Sequence, residues 1–185
     1  INIFLERITP VLENINVPYE IIFIMDPSSD NTEEIILNSL KNNSKVKLIK
    51  LSRRFGQPAA TLAGINNANF ENIVFIDVDL QDPPELIPEM YEYSKQGYQT
   101  ILARRNKKKG ENFFRNFFSK IGYHLIEKLS DTNIPKNVGE FRLVSKKVLR
   151  EINKLDEPDF FLRGINSYIG FSQKIIEYDR DSRIK

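Results

Sequence analysis

The chain has 185 residues, a length typical of one domain. Hydrophobic residues make up 41% of it and charged residues 28%, so a packed core is expected rather than general disorder. The absence of cysteine excludes a disulfide framework and cysteine-based zinc or nucleophile chemistry. The net charge is only +2, and we therefore expect no nucleic-acid partner.

Short apolar runs alternate with helical patterns along the chain. A helix is predicted for "INIFLERITPVLENI" at the start, and strands follow at 19–25, 46–52, 72–79 and 98–105. Further helices are predicted within "SSDNTEEIILNSLKNN", "QPAATLAGINNA" and "PPELIPEMYEYSKQG", and a short extended piece and a helix in "GEFRLVSKKVLREI". This alternation predicts an α/β domain over 1–185, with a doubly wound, mainly parallel sheet flanked by helices.

Charged residues follow several predicted strands at the point where each strand ends. They are Asp26, Arg53 with Arg54, Asp77 with Asp79, and Arg104 with Arg105. In doubly wound sheets the ligand binds outside the carboxyl ends of the strands. The sequence therefore predicts a binding site at one rim of the sheet.

The segment "IVFIDVDLQDPPE" ends a buried strand in clustered carboxylates. Asp77 and Asp79 are two residues apart, so on an extended segment they point to the same side and repel unless a cation lies between them. Mg²⁺ commonly takes one or two carboxylates together with substrate phosphates. The pattern predicts a Mg²⁺ or Mn²⁺ diphosphate site, while Asp82, directly before two prolines, has an equally good explanation as a helix cap.

A basic stretch, "RRNKKKG", precedes an amphipathic helical pattern over about 111–129 that carries two phenylalanine pairs. One interpretation is a core-packing helix with a solvated basic face. The other is a helix at the membrane surface, with its cations near anionic lipid and its aromatic side chains in the interface. RNA binding is a third interpretation, which the local distribution of the cations and the low net charge disfavour.

The segment "DVDLQDPPELIPEM" resembles the Asp-x-Asp segment of family 2 glycosyltransferases of the GT-A fold, and more narrowly their polyprenyl-phosphate (dolichol-phosphate mannose synthase-like) branch. Other similar segments cover nearly all of the chain in the family's order: "YEIIFIMDPSSDNT", "LSRRFGQPAATLAGINNA", "ILARRNKKKGENFFRNFFSKIGYHLIEKLSD" and "NVGEFRLVSKKVL". The resemblance implies an inverting, metal-dependent transferase. It would move a sugar from a UDP- or GDP-linked nucleotide sugar to a polyprenyl phosphate lipid at the cytoplasmic face of the membrane.

The resemblance also assigns roles on the donor side of the site. Asp26 matches an aspartate that contacts the nucleotide base, and Asp77 would lie by the ribose and the sugar. Asp79 would hold the metal, which Gln81 joins in this branch. Arg104 matches an arginine that faces the diphosphate or the acceptor phosphate.

On the acceptor side, the resemblance points to two segments. Arg115 and Ser119 match helix positions that approach the lipid phosphate. Glu140 and Arg142 stand where the family usually has Gly-Asp-Phe-Arg-Leu, which makes Glu140 the candidate general base for an alcohol acceptor.

Three departures from the family pattern bear on these expectations. The family's first strand and its "Pro-x-Tyr-Asn-Glu" turn are not found in this sequence, and "MDPSSD" replaces the usual "Asp-Asp-Gly-Ser-x-Asp". Met25 removes a carboxylate and Pro27 removes the backbone freedom of glycine, which bears on base recognition. Glu140 replaces aspartate, which moves the carboxylate about one methylene outward.

Other functions stay open at the level of the sequence. The acceptor could be a saccharide hydroxyl, or the domain could bind nucleotide sugars without activity; a phosphohydrolase with an Asp-x-Asp nucleophile is a more distant alternative. A homo-oligomer is compatible with the sequence. We also expect the chain to be a portion of a longer, membrane-associated protein.

Overall fold

The computed structural model describes residues 1–106, 138–154 and 170–180. Its helices are α1 (Asn2–Asn14), α2 (Thr32–Asn42), α3 (Gln57–Asn67), α4 (Ile87–Lys95) and α5 (Lys146–Asn153). Its strands are β1 (Ile21–Met25), β2 (Val46–Lys50), β3 (Asn72–Phe75), β4 (Thr100–Arg105), β5 (Val138–Ser145) and β6 (Gln173–Tyr178). A 3₁₀ turn over Pro84–Leu86 leads into α4. The predicted α/β class is confirmed. The amphipathic segment 111–129 lies outside the described residues, so its three interpretations stay untested.

The strands form two groups among the described residues. β1 and β2 pair in parallel, with Ile21 opposite Val46, and α2 forms the crossover between them. The other group has the order β3-β5-β4-β6. In it β4 and β6 are parallel, whereas β5 runs antiparallel to both β3 and β4. The sheet is therefore more mixed than the alternation of strands and helices indicates, because an apolar run carries no information about its direction.

These pairings bring the ends of four strands to one edge of the sheet. Since β5 is antiparallel to β3 and to β4, β3 and β4 point the same way, and β6 follows β4. The carboxyl ends of β3, β4 and β6 consequently meet the start of β5. We call this the site edge.

A cavity of about 760 Å³, which we call the central cavity, lies between β1 and β3. It is lined by consecutive residues of both strands, Ile21 to Ile24 and Asn72 to Phe75, and by Phe4 and Ile8 of α1. Side chains of consecutive strand residues alternate between the two faces of a sheet, so a cavity that meets all of them runs along the strand edges. Neither facing edge has a strand partner among the described residues. The expectation that the family's first strand is not in this sequence stays a prediction.

The core is built from the apolar faces that the sequence pattern predicts. Phe4 and Ile8 of α1 pack with Phe23 of β1, and the rings of Phe4 and Phe23 meet edge to face with centroids 6.1 Å apart. A second cluster joins Ile65 of α3 to the apolar face of α5. Ser145 caps α5 by accepting a hydrogen bond from the Val148 backbone N–H at 3.4 Å. Within the three described ranges, no helix has both the length and the apolar character needed to cross a membrane.

Candidate active site

The loop after β3 carries the predicted acidic residues in a fixed turn. Leu80 has φ +62°, which is unusual for a residue with a Cβ, and its side chain is buried in the core. The backbone N–H of Gln81 donates to Asp79 Oδ1 at 3.0 Å and closes the turn. Arg7 of α1 binds both carboxylate oxygens of Glu85, at 2.7 and 2.8 Å, and so ties the far end of the loop to the core. The loop therefore presents Asp79 in one defined position.

Asp77 lies in an acidic cluster, which consists of Asp77, Asp79, Asp82 and Glu140. Burial raises the pKa of Asp77, and the charges of Asp82, Asp79 and Glu140 raise it further, in that order of size. Arg105 acts in the opposite direction. The predicted repulsion among these carboxylates is therefore present, and it favours any cation that binds among them.

The raised pKa of Asp77 leads to a test by stability. Above the raised pKa, Asp77 is charged in the folded and the unfolded state, and folding carries the cost of burying this charge beside other carboxylates. Below the ordinary carboxyl value of 3.8 both states are protonated and that cost vanishes. In EDTA, Asp77→Asn is therefore expected to raise the melting temperature at pH 7.5, with a gain that shrinks as the pH falls through the raised pKa. Asp30→Asn is the matched control, because hydrogen bonds from Ser28 and Thr32 lower the pKa of the exposed Asp30. A constant gain at every pH would contradict this account.

Asp82 is the buried anchor of the site edge, and the structure excludes the helix-cap explanation for it. The 3₁₀ turn has Pro83 at its N-cap and no capping side chain. Asp82 is 1% exposed and accepts a hydrogen bond from the Tyr178 hydroxyl at 2.5 Å. Arg105 Nη2 lies 3.5 Å from the same carboxylate oxygen. Burial and the bond to Asp82 raise the pKa of Tyr178 to about 12, so Tyr178 is a neutral donor at physiological pH.

Tyr178→Phe is expected to destabilise the fold by about 1–3 kcal/mol, because a buried carboxylate loses its hydroxyl donor. Thermal or urea unfolding measures the loss. Tyr98→Phe is a suitable control, since no hydrogen bond of the Tyr98 hydroxyl is found in the described part of the chain. Equal stability of Tyr178→Phe and the parent would refute the anchoring role.

Glu140 and Arg142 form a pair at the start of β5. Arg142 is fully buried and opposite Phe75 of β3 in the sheet register. Its Nη2 donates to Glu140 Oε2 at 2.9 Å and to the Gly139 carbonyl at 3.0 Å, while Nε donates to the Glu140 carbonyl at 3.2 Å. Glu140 is 23% exposed and lines the central cavity. Arg142 therefore fixes the orientation of a carboxylate that water or a ligand can reach.

Arg105 is packed against the start of β5. Its Nε donates to the Tyr178 hydroxyl at 3.1 Å. A Cβ at Gly139 would lie 2.9 Å from Arg105 Nη2, closer than real contacts allow. Glycine at this position leaves room for a guanidinium that Tyr178 and Asp82 hold in place.

The other predicted site residues lie in several places. Asp26 follows β1, across the central cavity from β3, and its Oδ1 is buried without a hydrogen-bond partner among the described residues. Arg104 points to the opposite face of β4 from Arg105, and its Nη1 lies 3.5 Å from Glu177 Oε1. Arg115 and Ser119 lie outside the described residues. The roles of all four stay predictions.

Sequence reasoning missed two residues of the site edge, Tyr178 and Arg180. β6 was not predicted, although "KIIEYDRD" has the same form as the other strands, an apolar run that ends in charged residues. Arg180 follows β6 and places its Nη2 3.8 Å from Asp79 Oδ2 and its Nε 3.8 Å from Asp82 Oδ1. A search for that strand-end pattern would have found both residues.

The donor atoms of the acidic cluster suit a hard cation. Carboxylate oxygens are what Mg²⁺ and Mn²⁺ prefer, and Asp82 Oδ2 is buried with no hydrogen-bond partner in the described ranges. The same ranges contain no group of three or more His, Cys, Asp or Glu side chains that could hold a metal ion without a ligand. A Mg²⁺ site that uses one or two carboxylates plus substrate phosphates needs no such group, so the residues fit this type of site.

Comparisons with known proteins identify relatives of this chain. The uncharacterized glycosyltransferase YkcC of Bacillus subtilis (strain 168) is 41% identical over 179 residues, which cover 97% of this chain and 55% of that protein. The bactoprenol glucosyl transferase of Shigella phage SfV is 37% identical over 169 residues, which cover 90% of this chain and 55% of that protein. The chain thus spans about half the length of these relatives.

A solved structure shares the fold. The mannosyltransferase PcManGT from Pyrobaculum calidifontis, in complex with GDP-Man and Mn²⁺, superposes with a TM-score of 0.63 over 98% of this chain and 53% of its own, at 13% identity. The expected GT-A fold is thereby confirmed. Residues 2–153 match the family described as Glycosyl transferase family 2. From this match and the identity to YkcC, the chain belongs to glycosyl transferase family 2.

Proposed function

We propose that the chain is the catalytic domain of a metal-dependent, inverting transferase that moves a sugar from a UDP- or GDP-linked donor to a polyprenyl phosphate. The observation that carries the proposal is the site edge, where the acidic cluster lies beside Arg105, Arg142 and Arg180. The name of the Shigella phage relative supports a polyprenyl acceptor. An acceptor of this kind places the reaction at the cytoplasmic face of the membrane.

On the donor side, Asp79 and Gln81 would hold a divalent cation together with the diphosphate. When bound, that cation supplies positive charge which stabilises the leaving nucleoside diphosphate. Asp77 would orient the ribose and the sugar, and Asp26 the base. The diphosphate would meet Arg105, because Arg104, the residue expected from the sequence, points to the opposite face of β4. The fixed turn around Leu80 supports this assignment, because a metal-binding side chain that is already held in position needs no reorganisation when the donor binds.

On the acceptor side, the lipid phosphate is itself the nucleophile. Its second pKa is about 6, so it is largely ionised at neutral pH and needs little help from a general base. The difficulty is to bring two anions together, which calls for cations. Arg115 and Ser119 from the preceding segment would hold the acceptor phosphate, and the buried Arg142 would act indirectly, by orienting Glu140 through their 2.9 Å contact.

Glu140→Gln is accordingly expected to lower turnover with a polyprenyl phosphate acceptor only modestly, by about tenfold or less. Glutamine keeps an oxygen that can accept the hydrogen bond from Arg142. Radiolabelled sugar transfer to extracted lipid measures the rate. A loss of about a thousandfold would show that Glu140 is an obligatory base.

A saccharide hydroxyl acceptor is the second candidate. The partly exposed carboxylate of Glu140 favours it, because an alcohol nucleophile needs a base within reach. The two candidates are separated by offering undecaprenyl phosphate and oligosaccharides to the full-length protein in membranes, each with UDP- and GDP-linked sugars. Label in the lipid fraction supports the proposal, and label only in soluble saccharide supports the second candidate. Calorimetric binding of a nucleotide sugar with no transfer to either would indicate a domain kept for binding.

A further inference from the structure

We propose that Arg180 is an exchangeable counter-cation of the acidic cluster. Its guanidinium neutralises Asp79 and Asp82 while no divalent cation is bound, and it leaves Asp79 for the phosphates of the donor when a divalent cation arrives. The inference rests on the proposed function only in taking Asp79 as a metal ligand.

The position of Arg180 gives the first argument. Its guanidinium bridges two carboxylates, with Nη2 3.8 Å from Asp79 Oδ2 and Nε 3.8 Å from Asp82 Oδ1. Asp79 Oδ1 is already used by the turn, through the Gln81 N–H. Arg180 therefore lies against the carboxylate oxygen of Asp79 that is left for a cation.

The weakness of these contacts gives the second argument. Both lie near the outer limit of an ion pair, and Arg180 Nε is buried with no hydrogen-bond partner among the described residues. Arg142 is held by several hydrogen bonds, and Arg105 by the Tyr178 hydroxyl. Of these three arginines, Arg180 is the one that a competing cation can displace at the lowest cost.

The strand geometry limits what has to move. The backbone is held at Tyr178, whose carbonyl accepts from Asn106 N–H at 2.9 Å, and the Asp179 side chain is held as well, since Asn106 Nδ2 donates to Asp179 Oδ1 at 3.1 Å. Arg180 comes directly after this tie, and its side chain is 29% exposed. A change of rotamer moves the guanidinium from Asp79 towards an incoming diphosphate without disturbing β6.

The exchange gives the site edge a balanced charge at each stage. Without a divalent cation, Arg180 offsets the repulsion within the acidic cluster. With a divalent cation at Asp79, the guanidinium and the cation repel each other, and the new anion to neutralise is the diphosphate. Arg180 then becomes a specificity residue, because its positive charge attracts the phosphates of the donor.

The test is a titration of the full-length protein with Mn²⁺ followed by electron paramagnetic resonance, without any sugar donor. Arg180→Gln is expected to bind Mn²⁺ about tenfold more tightly than the parent, because the competing cation is gone. Arg150→Gln is the matched control, since Arg150 is exposed and pairs with Glu71 at 3.5 Å. With Mn²⁺ saturating, Arg180→Gln is expected to bind UDP and GDP about tenfold more weakly.

Equal or weaker Mn²⁺ binding by Arg180→Gln would overturn the exchange, and unchanged nucleoside diphosphate binding would overturn the transfer of Arg180 to the phosphates. If Arg180→Gln does not fold, the same Mn²⁺ titration is made on Asp82→Asn and on Asp82→Asn/Arg180→Gln. In this pair the acidic cluster has one negative charge fewer, so losing Arg180 leaves less repulsion within it. Asp79→Asn separates this inference from the proposed function. If Asp79→Asn binds Mn²⁺ as the parent does, the proposed metal site is wrong. If only Arg180→Gln keeps the Mn²⁺ affinity of the parent, the exchange alone is refuted.

Discussion

Asp79→Asn is expected to lower sugar transfer by about a thousandfold or more. The amide keeps the shape of the carboxylate and can still accept the hydrogen bond from Gln81, but it removes the negative charge that would hold a divalent cation against the donor diphosphate. Loss of one preorganised electrostatic contact to a developing charge typically costs about 10² to 10³ in rate, and loss of a metal costs more. Initial rates at saturating donor and acceptor measure the effect.

The fold should survive this change, because Asp79→Asn removes one of the charges that raise the pKa of Asp77. An unchanged or higher melting temperature would show that the rate loss is chemical. Glu89→Gln, an exposed acid on α4, makes the same change in net charge and should leave transfer as it is. If Asp79→Asn keeps more than about a tenth of the parent rate, Asp79 is not the principal metal ligand.

Arg142→Met is expected to destabilise the fold by about 2–4 kcal/mol. Arg142 is fully buried between β3 and β4, where it satisfies two backbone carbonyls and the carboxylate of Glu140. Methionine fills much of the same space but donates no hydrogen bond, so the two carbonyls and the carboxylate lose their donor. The loss falls in the lower part of the range for broken buried ion pairs, because Glu140 is partly exposed and can be hydrated.

Urea unfolding of both proteins gives the difference as a shift in the midpoint at constant slope. Arg150→Met is the control, because the Arg150–Glu71 pair is solvent-exposed and such pairs contribute about 0–1 kcal/mol. A midpoint for Arg142→Met that matches the parent would mean that the buried guanidinium does not stabilise the fold.

Local pattern accounts for the parts of the fold that could be predicted from the sequence. β1, β2 and β4 are apolar runs between clear helix starts, and their bounds agree with the predictions to within about two residues. Part of the rim of charged residues at strand ends was also predictable, because the topology of α/β sheets fixes which ends meet, but Arg104 lies on the opposite face of β4. The predicted Asp77–Asp79 pair lies at that rim, in a turn that also places Asp82.

Long-range pairing accounts for what the sequence did not reveal. The direction of β5 depends on its partners, and β5 brings Glu140 and Arg142 to the site edge only because it runs antiparallel. Asp82 could not be distinguished from a helix cap, since its partner Tyr178 is 96 residues away in sequence. Which of two neighbouring arginines faces the cluster depends on the exact phase of β4, and the structure assigns that position to Arg105.

Sugar transfer from UDP- and GDP-linked donors to undecaprenyl phosphate, by the full-length protein in membranes with either Mg²⁺ or EDTA, tests the central claim most directly. We expect label in the lipid with Mg²⁺, its loss in EDTA, and its return when Mg²⁺ or Mn²⁺ is added in excess. Transfer that continues at the same rate in EDTA would contradict the claim that acids at the end of β3 hold a divalent cation for the reaction.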